Sequence, residues 1–247
     1  MPFLDGARGR LHYRRWSAEN PAATVVLLPG MGQHSGHYHR FARMLRAEGF
    51  ETWAMDTAGH GLSEGDPRQP GTLTELANDA TLLVRTVRAE HAATPLVLVG
   101  HSLGAATALG VLGVATPDES ADAHSATYQD HPSAPSVAAG MLSGLALSGT
   151  PKRVLGAARP NGARTPLPPS LPVLALHGVD DRMTPVEPVR VWTRRHESVS
   201  LREYIGAGHD LWHEPVHARV SVDIVEWMRD VVVGSARQTA SGAEHVS

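Results

Sequence analysis

The sequence predicts an α/β protein with a mostly parallel sheet covered by helices on both faces. Three observations carry that expectation. Short apolar runs without polar alternation, TVVLL at 24–28 and LVLVG at 96–100, suit strands buried on both faces. Stretches at helical spacing separate them, clearest where Leu73, Leu76, Ala80, Leu83, Val84 and Val87 make one stripe. The apolar runs close in Gly- or Asp-rich loops: PGMG, DTAGHG, GHSLG, HGVDD and GAGHD.

Taken in order, residues 10–16 alternate as an edge strand does, and Asn20-Pro21 marks a turn. The strand at 24–28 ends in Pro29-Gly30-Met31-Gly32, and a helical pattern through Tyr38, Phe41, Ala42 and Leu45 stops at Gly49. A strand at 50–55 follows, then the loop at 56–65 and a long helix from Thr72. After the 95–100 strand an Ala-rich helix fades near residue 115. Residues 116–137 are polar and aperiodic, and read as a surface excursion or flap. A brief strand at 144–147 precedes a proline-rich loop at 150–170. A strand at 171–176, a helix near 185–196, a strand at 199–205 and a helix near 216–232 complete the expected domain, 1–233. The Ser/Gly/Ala-rich residues 234–247 read as a disordered tail.

Composition narrows the function classes. A net charge of −3 over 247 residues argues against a nucleic-acid partner. The lack of cysteine removes disulfides, thiol nucleophiles and Cys-based zinc sites. The N-terminal stretch has no apolar signal-peptide core, and no apolar run is long enough for stable membrane insertion, so a cytoplasmic location is expected. PGMGQHSG followed by Asp56 imitates a dinucleotide fingerprint, but its third glycine falls one position late. The sole lysine, Lys152, has Ser148 rather than tyrosine four residues before it, which argues against a short-chain dehydrogenase. His34, His37 and His39 lack neighbouring carboxylates, so no metal and no cofactor is expected. Asp56 and His60 read as hydrogen-bonding supports of their own loop.

The chemistry centres on residues 95–108. A buried strand ends in Gly100-His101-Ser102-Leu103-Gly104 and a helix starts at once, the strand–turn–helix of a G-x-S-x-G nucleophile elbow. Glycines two positions either side of Ser102 let strand and helix pass closely, and the helix N-terminus aims free N–H groups at an incipient oxyanion. The plainer reading of Ser102 is a helix cap. In a parallel sheet the loops after the strands gather on one edge, and Ser102, Asp181 and His209 all lie in such loops. A serine hydroxyl needs an imidazole to take its proton, and the imidazole needs a carboxylate to fix its tautomer. Asp180 competes with Asp181 for that last role.

Together PGMGQHSGHY, DTAGHGLSEG, GHSLGA, HGVDDRM and GAGHDLWHE resemble the monoacylglycerol lipase and lysophospholipase branch of the α/β-hydrolase superfamily, the serine aminopeptidase S33 type. The resemblance spans residues 24–214. It implies an α/β-hydrolase fold, Ser102 as nucleophile, His209 as general base and Asp181 as orienting acid. It also implies an oxyanion hole from the Met31 and Leu103 backbone N–H groups. Gly30, His34, His101 and Trp212 flank these loops as candidate substrate contacts. Two departures stand out: Pro29 replaces the family's usual histidine, and about twenty residues fill the place of a helical cap, too few for several helices. The expected function is hydrolysis of a small-molecule acyl ester or thioester through an acyl-enzyme, with no cofactor. Acyl transfer or cyclisation, a thioesterase served by an acyl-carrier protein, and a non-catalytic binding protein on the same scaffold are the alternatives.

Overall fold

The computed structural model describes residues 1–114, 141–156 and 166–244, with side chains to residue 236. The expected excursion at 116–137 and the middle of the 150–170 loop lie outside the described residues. Eight strands form one sheet: β1 (Phe3–Gly6), β2 (Gly9–Trp16), β3 (Ala23–Leu28), β4 (Phe50–Met55), β5 (Leu96–His101), β6 (Gly144–Ser148), β7 (Val173–Gly178) and β8 (Val199–Tyr204). Their order is β1-β2-β4-β3-β5-β6-β7-β8. β1 and β2 are antiparallel, β2 is antiparallel to β4, and all other pairs are parallel. This is the expected mostly parallel sheet flanked by helices.

Alternate residues of the central strands feed two cores. Val26 and Leu28 of β3, Leu96 and Leu98 of β5, and Leu145 and Leu147 of β6 pack with α2 (Leu73–Glu90), α3 (Leu103–Val111) and α4 (Glu187–Thr193). Val25, Leu27, Val97, Val99 and Ala146 pack oppositely, with α1 (His39–Ala47) and α5 (His217–Glu244). Each residue of β3, β5 and β6 is buried, which explains why those runs lack polar alternation. Thr72 caps α2 and exchanges hydrogen bonds with Glu75, a capping box.

Three departures from the sequence reading stand out. β1 is additional: its run of four residues is too short to announce itself, and pairing with β2 makes the strand. A 3-10 turn, Ser35–Tyr38, precedes α1. α5 continues to Glu244 rather than ending near Val232, because Ala, Arg, Gln and Glu sustain it past the modest cost of Gly234.

β3 has β4 on one side and β5 on the other, so the chain changes direction across the sheet there. A crevice for ligands opens at such a point, beyond the C-terminal ends of the strands. The PGMG loop leaves β3 and the GHSLG turn leaves β5 at this place.

Candidate active site

Ser102 sits between β5 and α3 with φ 51° and ψ −111°, a left-handed conformation rare for a residue with a side chain. Its N–H donates to Ser148 C=O at 2.8 Å, pinning the elbow to the end of β6. A Cβ at Gly104 would lie 1.9 Å from Leu28 O, and one at Gly100 would lie 2.4 Å from Gly104 O. Only glycine permits these approaches. The Ser102 side chain makes no capping hydrogen bond, so the helix-cap reading falls.

Asp181 is buried and its Oδ2 accepts the His209 Nδ1–H at 2.7 Å. Oδ1 accepts the N–H groups of Met183 (2.8 Å) and Thr184 (2.9 Å), and the Thr184 hydroxyl donates to Oδ2 at 2.7 Å. Burial pushes this carboxyl up, but the Thr184 N–H, His209 and the Thr184 hydroxyl together hold it below its ordinary value. Asp180 is exposed and uses its backbone N–H on Ala207 O. Of the two acids, Asp181 is the one that meets His209. At the other side of that ring, Nε2 is buried without a hydrogen-bond partner among the described residues. A Cβ at Gly149, whose φ is 55°, would lie 2.8 Å from His209 Cε1. Glycine there gives the imidazole its space.

The loop after β3 folds over the elbow. Gln33 N–H donates to Gly30 O at 3.0 Å across Met31 and Gly32. Gly32 has φ 75°, the conformation a type II turn reserves for glycine at its third position. A Cβ at Gly30 would lie 3.4 Å from Ser102 Cβ and 2.9 Å from His101 Cδ2, so this turn abuts the serine. The Met31 and Leu103 N–H groups have no protein acceptor among the described residues. From the far side, Gly32 N–H donates to His60 Nε2 (3.1 Å), while Asp56 accepts Ser35 N–H (2.7 Å) and Leu62 N–H (3.0 Å). Asp56 and His60 therefore hold the loop after β3 as well as their own.

His101 and Trp212 are buried, and they back the site rather than face open space. The His101 ring centroid lies 5.0 Å from that of His209, and Trp212 packs on Tyr38, Phe41 and His101. Burial, reinforced by His209, lowers the His101 imidazole to about 4, so it stays neutral beside His209. His34 contacts Gly36, His37 and Gly61. Among the described residues no group of three or more His, Asp or Glu is arranged to hold a metal ion. No helix among them is long and apolar enough to cross a membrane.

Sequence reasoning missed His177, whose Nε2–H donates to Thr184 O at 2.6 Å beside Asp181, and Gln33 with Asp210, which join the β3 and β8 loops. No spacing rule links positions so far apart. Only His177-Gly178, next to the Asp loop, carried any signal.

The family model described as serine aminopeptidase, S33 matches residues 19–155. The chain is similar to the monoacylglycerol lipase of Mycolicibacterium smegmatis, 26% identical over 260 residues, covering 89% of this chain and 92% of that one. It is 33% identical over 111 residues to the monoglyceride lipase of Homo sapiens, covering 44% of this chain and 37% of that protein. Among solved structures, the Paleococcus ferrophilus monoacylglycerol lipase superposes with a TM-score of 0.62 at 21% identity, over 90% of this chain and 98% of that one. A soluble variant of the Saccharomyces cerevisiae monoglyceride lipase gives 0.66 at 15% identity, over 93% and 94%. These two likenesses establish a shared fold.

Proposed function

Because the chain belongs to the serine aminopeptidase, S33 family and is a serine carboxylic ester hydrolase, we propose that Ser102 is its nucleophile and that His209 and Asp181 serve it. The observation that carries this reading is the buried Asp181–His209 hydrogen bond, with His209 Nε2 left unpartnered among the described residues. Ser102 Oγ attacks the ester carbonyl carbon while His209 Nε2 takes the hydroxyl proton. Asp181, held ionised, stabilises the imidazolium and keeps its proton on Nδ1. The Met31 and Leu103 N–H groups donate to the tetrahedral oxyanion. The carbon–oxygen bond to the leaving alcohol then breaks, and His209 returns the proton to that alcohol. Water, deprotonated by the same histidine, releases the acid and regenerates Ser102.

The substrate we propose is an ester of one fatty acyl chain with a small polyol. The similarity to a monoacylglycerol lipase over nearly nine-tenths of this chain supports it. Fluorophosphonate labelling followed by acyl-chain profiling tests both parts. The wild-type chain labels and hydrolyses monoacylglycerols, and Ser102→Ala does neither. A folded wild type that resists labelling contradicts the mechanism. Faster cleavage of carrier-linked acyl thioesters than of glycerol esters contradicts the substrate and points to an acyl-carrier protein as partner.

A further inference from the structure

Gln33 lies in the loop after β3 and Asp210 directly follows His209, yet their side chains meet across the site. Gln33 Oε1 accepts the Gly30 N–H at 3.2 Å and the Tyr38 hydroxyl at 2.5 Å. The opposite end of that amide must then be its NH2, and it donates to Asp210 Oδ1 (3.1 Å) and Oδ2 (3.2 Å). Tyr38 is buried; burial, then the Asp210 charge, raises its phenol well above the usual value, so it remains a neutral donor. His213 Nδ1 also lies 2.8 Å from Asp210 Oδ1, and its Nε2 lies 3.0 Å from His37 O. The His101 Nε2 stands 3.7 Å from Asp210 Oδ1.

We propose that Gln33 and Asp210 form a positioning clasp that holds the proposed oxyanion turn in register with His209, and that His213 fastens it to the 3-10 turn before α1. His60 tethers the turn at Gly32 and Asp56 holds Ser35 just beyond it, whereas the clasp ties Gln33 to the residue that follows His209. The oxyanion donors come from residues 31 and 103 and the base from residue 209, so their separation depends on contacts between loops. Errors of about 1 Å in such a separation cost on the order of 100-fold in rate. Both residues act through their neighbours rather than on substrate. The proposal rests on the assignment of Ser102 and His209 above.

A reversal of polarity tests it. Gln33→Glu sets a carboxylate against Asp210 and is expected to slow fluorophosphonate labelling and kcat about 10- to 100-fold, with KM changed less than about threefold. Adding Asp210→Asn restores one donor facing one acceptor with the roles exchanged, and the double variant is expected within about threefold of wild type. Backbone hydrogen exchange at the peptides carrying Met31 and His209 should accelerate in Gln33→Glu and return in the double variant. If Gln33→Glu does not fold, Asp210→Asn alone serves, with an expected three- to tenfold loss of kcat at unchanged thermal stability. An undiminished Gln33→Glu, a double variant no better than it, or an undiminished Asp210→Asn overturns the clasp. A wild type that does not label overturns the function instead, and the exchange measurement then still reports on the clasp.

Discussion

Two buried polar side chains at opposite edges of the sheet, Glu51 and His209, are partnered in opposite ways. At the edge where β4 begins, Glu51 is 1% exposed and surrounded by donors. Its Oε1 meets Trp53 Nε1 at 2.7 Å, Arg15 Nε at 2.8 Å and His91 Nε2 at 2.9 Å, and Oε2 accepts the Ala18 N–H at 3.2 Å. At the edge where β3, β5 and β8 end, His209 Nε2 is buried with nothing to bond, and two backbone donors beside Ser102 are free among the described residues. An unsatisfied buried polar group costs about 1–3 kcal/mol. Glu51, which ties strands and helix ends together, avoids that cost, whereas at His209 an incoming ligand can supply the missing partner; Thr52 Oγ1 and Asn78 Oδ1 are also buried without partners among the described residues.

Substitutions at both edges sharpen this contrast, and the largest effect belongs to the site. Asp181→Asn is expected to lower kcat about 10³- to 10⁴-fold, since an amide no longer enforces the Nδ1–H tautomer of His209. Its thermal midpoint should move far less than that of Glu51→Ala. The latter leaves His91 and the Trp53 indole without their buried acceptor and is expected to cost about 3 kcal/mol in urea unfolding. Its kcat per folded molecule should match wild type. A large kcat loss in Glu51→Ala without destabilisation would collapse the distinction between the edges.

Asp79 on α2 offers a smaller and pH-dependent test. It is 3% exposed, and the Ala7 N–H, 2.8 Å from Oδ1, is its one hydrogen-bond donor among the described residues. Burial, opposed by that hydrogen bond, pushes its carboxyl up to about 6. With the folded value above the unfolded one, the protonated acid favours the folded state. That contribution is fully present below about pH 4 and is lost as pH rises through about 6. Asp79→Asn keeps an acceptor for Ala7 and removes the titration. It should gain on the order of 1–3 kcal/mol over wild type at pH 8, and nothing at pH 4. Equal gains at both pH values would mean that charge burial is not the cause.

Ser102, Asp181 and His209 were legible because local backbone demands advertise them. A strained elbow needs glycines at fixed offsets, and each loop follows an apolar run that only a strand explains. The alternating faces of β3, β5 and β6 were legible for the same reason. The choice of Asp181 over Asp180 was legible only through the family resemblance, since adjacent residues share one loop and differ only in which points inward. Gln33 and Asp210 carry no local signal at all: their hydrogen bond joins turns brought together by the sheet order. Gly149 reads as an ordinary turn glycine until His209 is found against it. β1 and the end of α5 depended on pairing and propensity too weak to resolve in isolation.

The central claim is that Ser102 becomes acylated, and the most direct measurement is acid quench of a single turnover with an aryl ester, followed by mass spectrometry of the intact chain and its peptides. The account predicts an acyl adduct on the peptide bearing Ser102 that forms in a burst and decays at the rate of turnover, longer-lived in Asp181→Asn. Turnover without any adduct on Ser102, or an adduct on another residue that persists in Ser102→Ala, would contradict it.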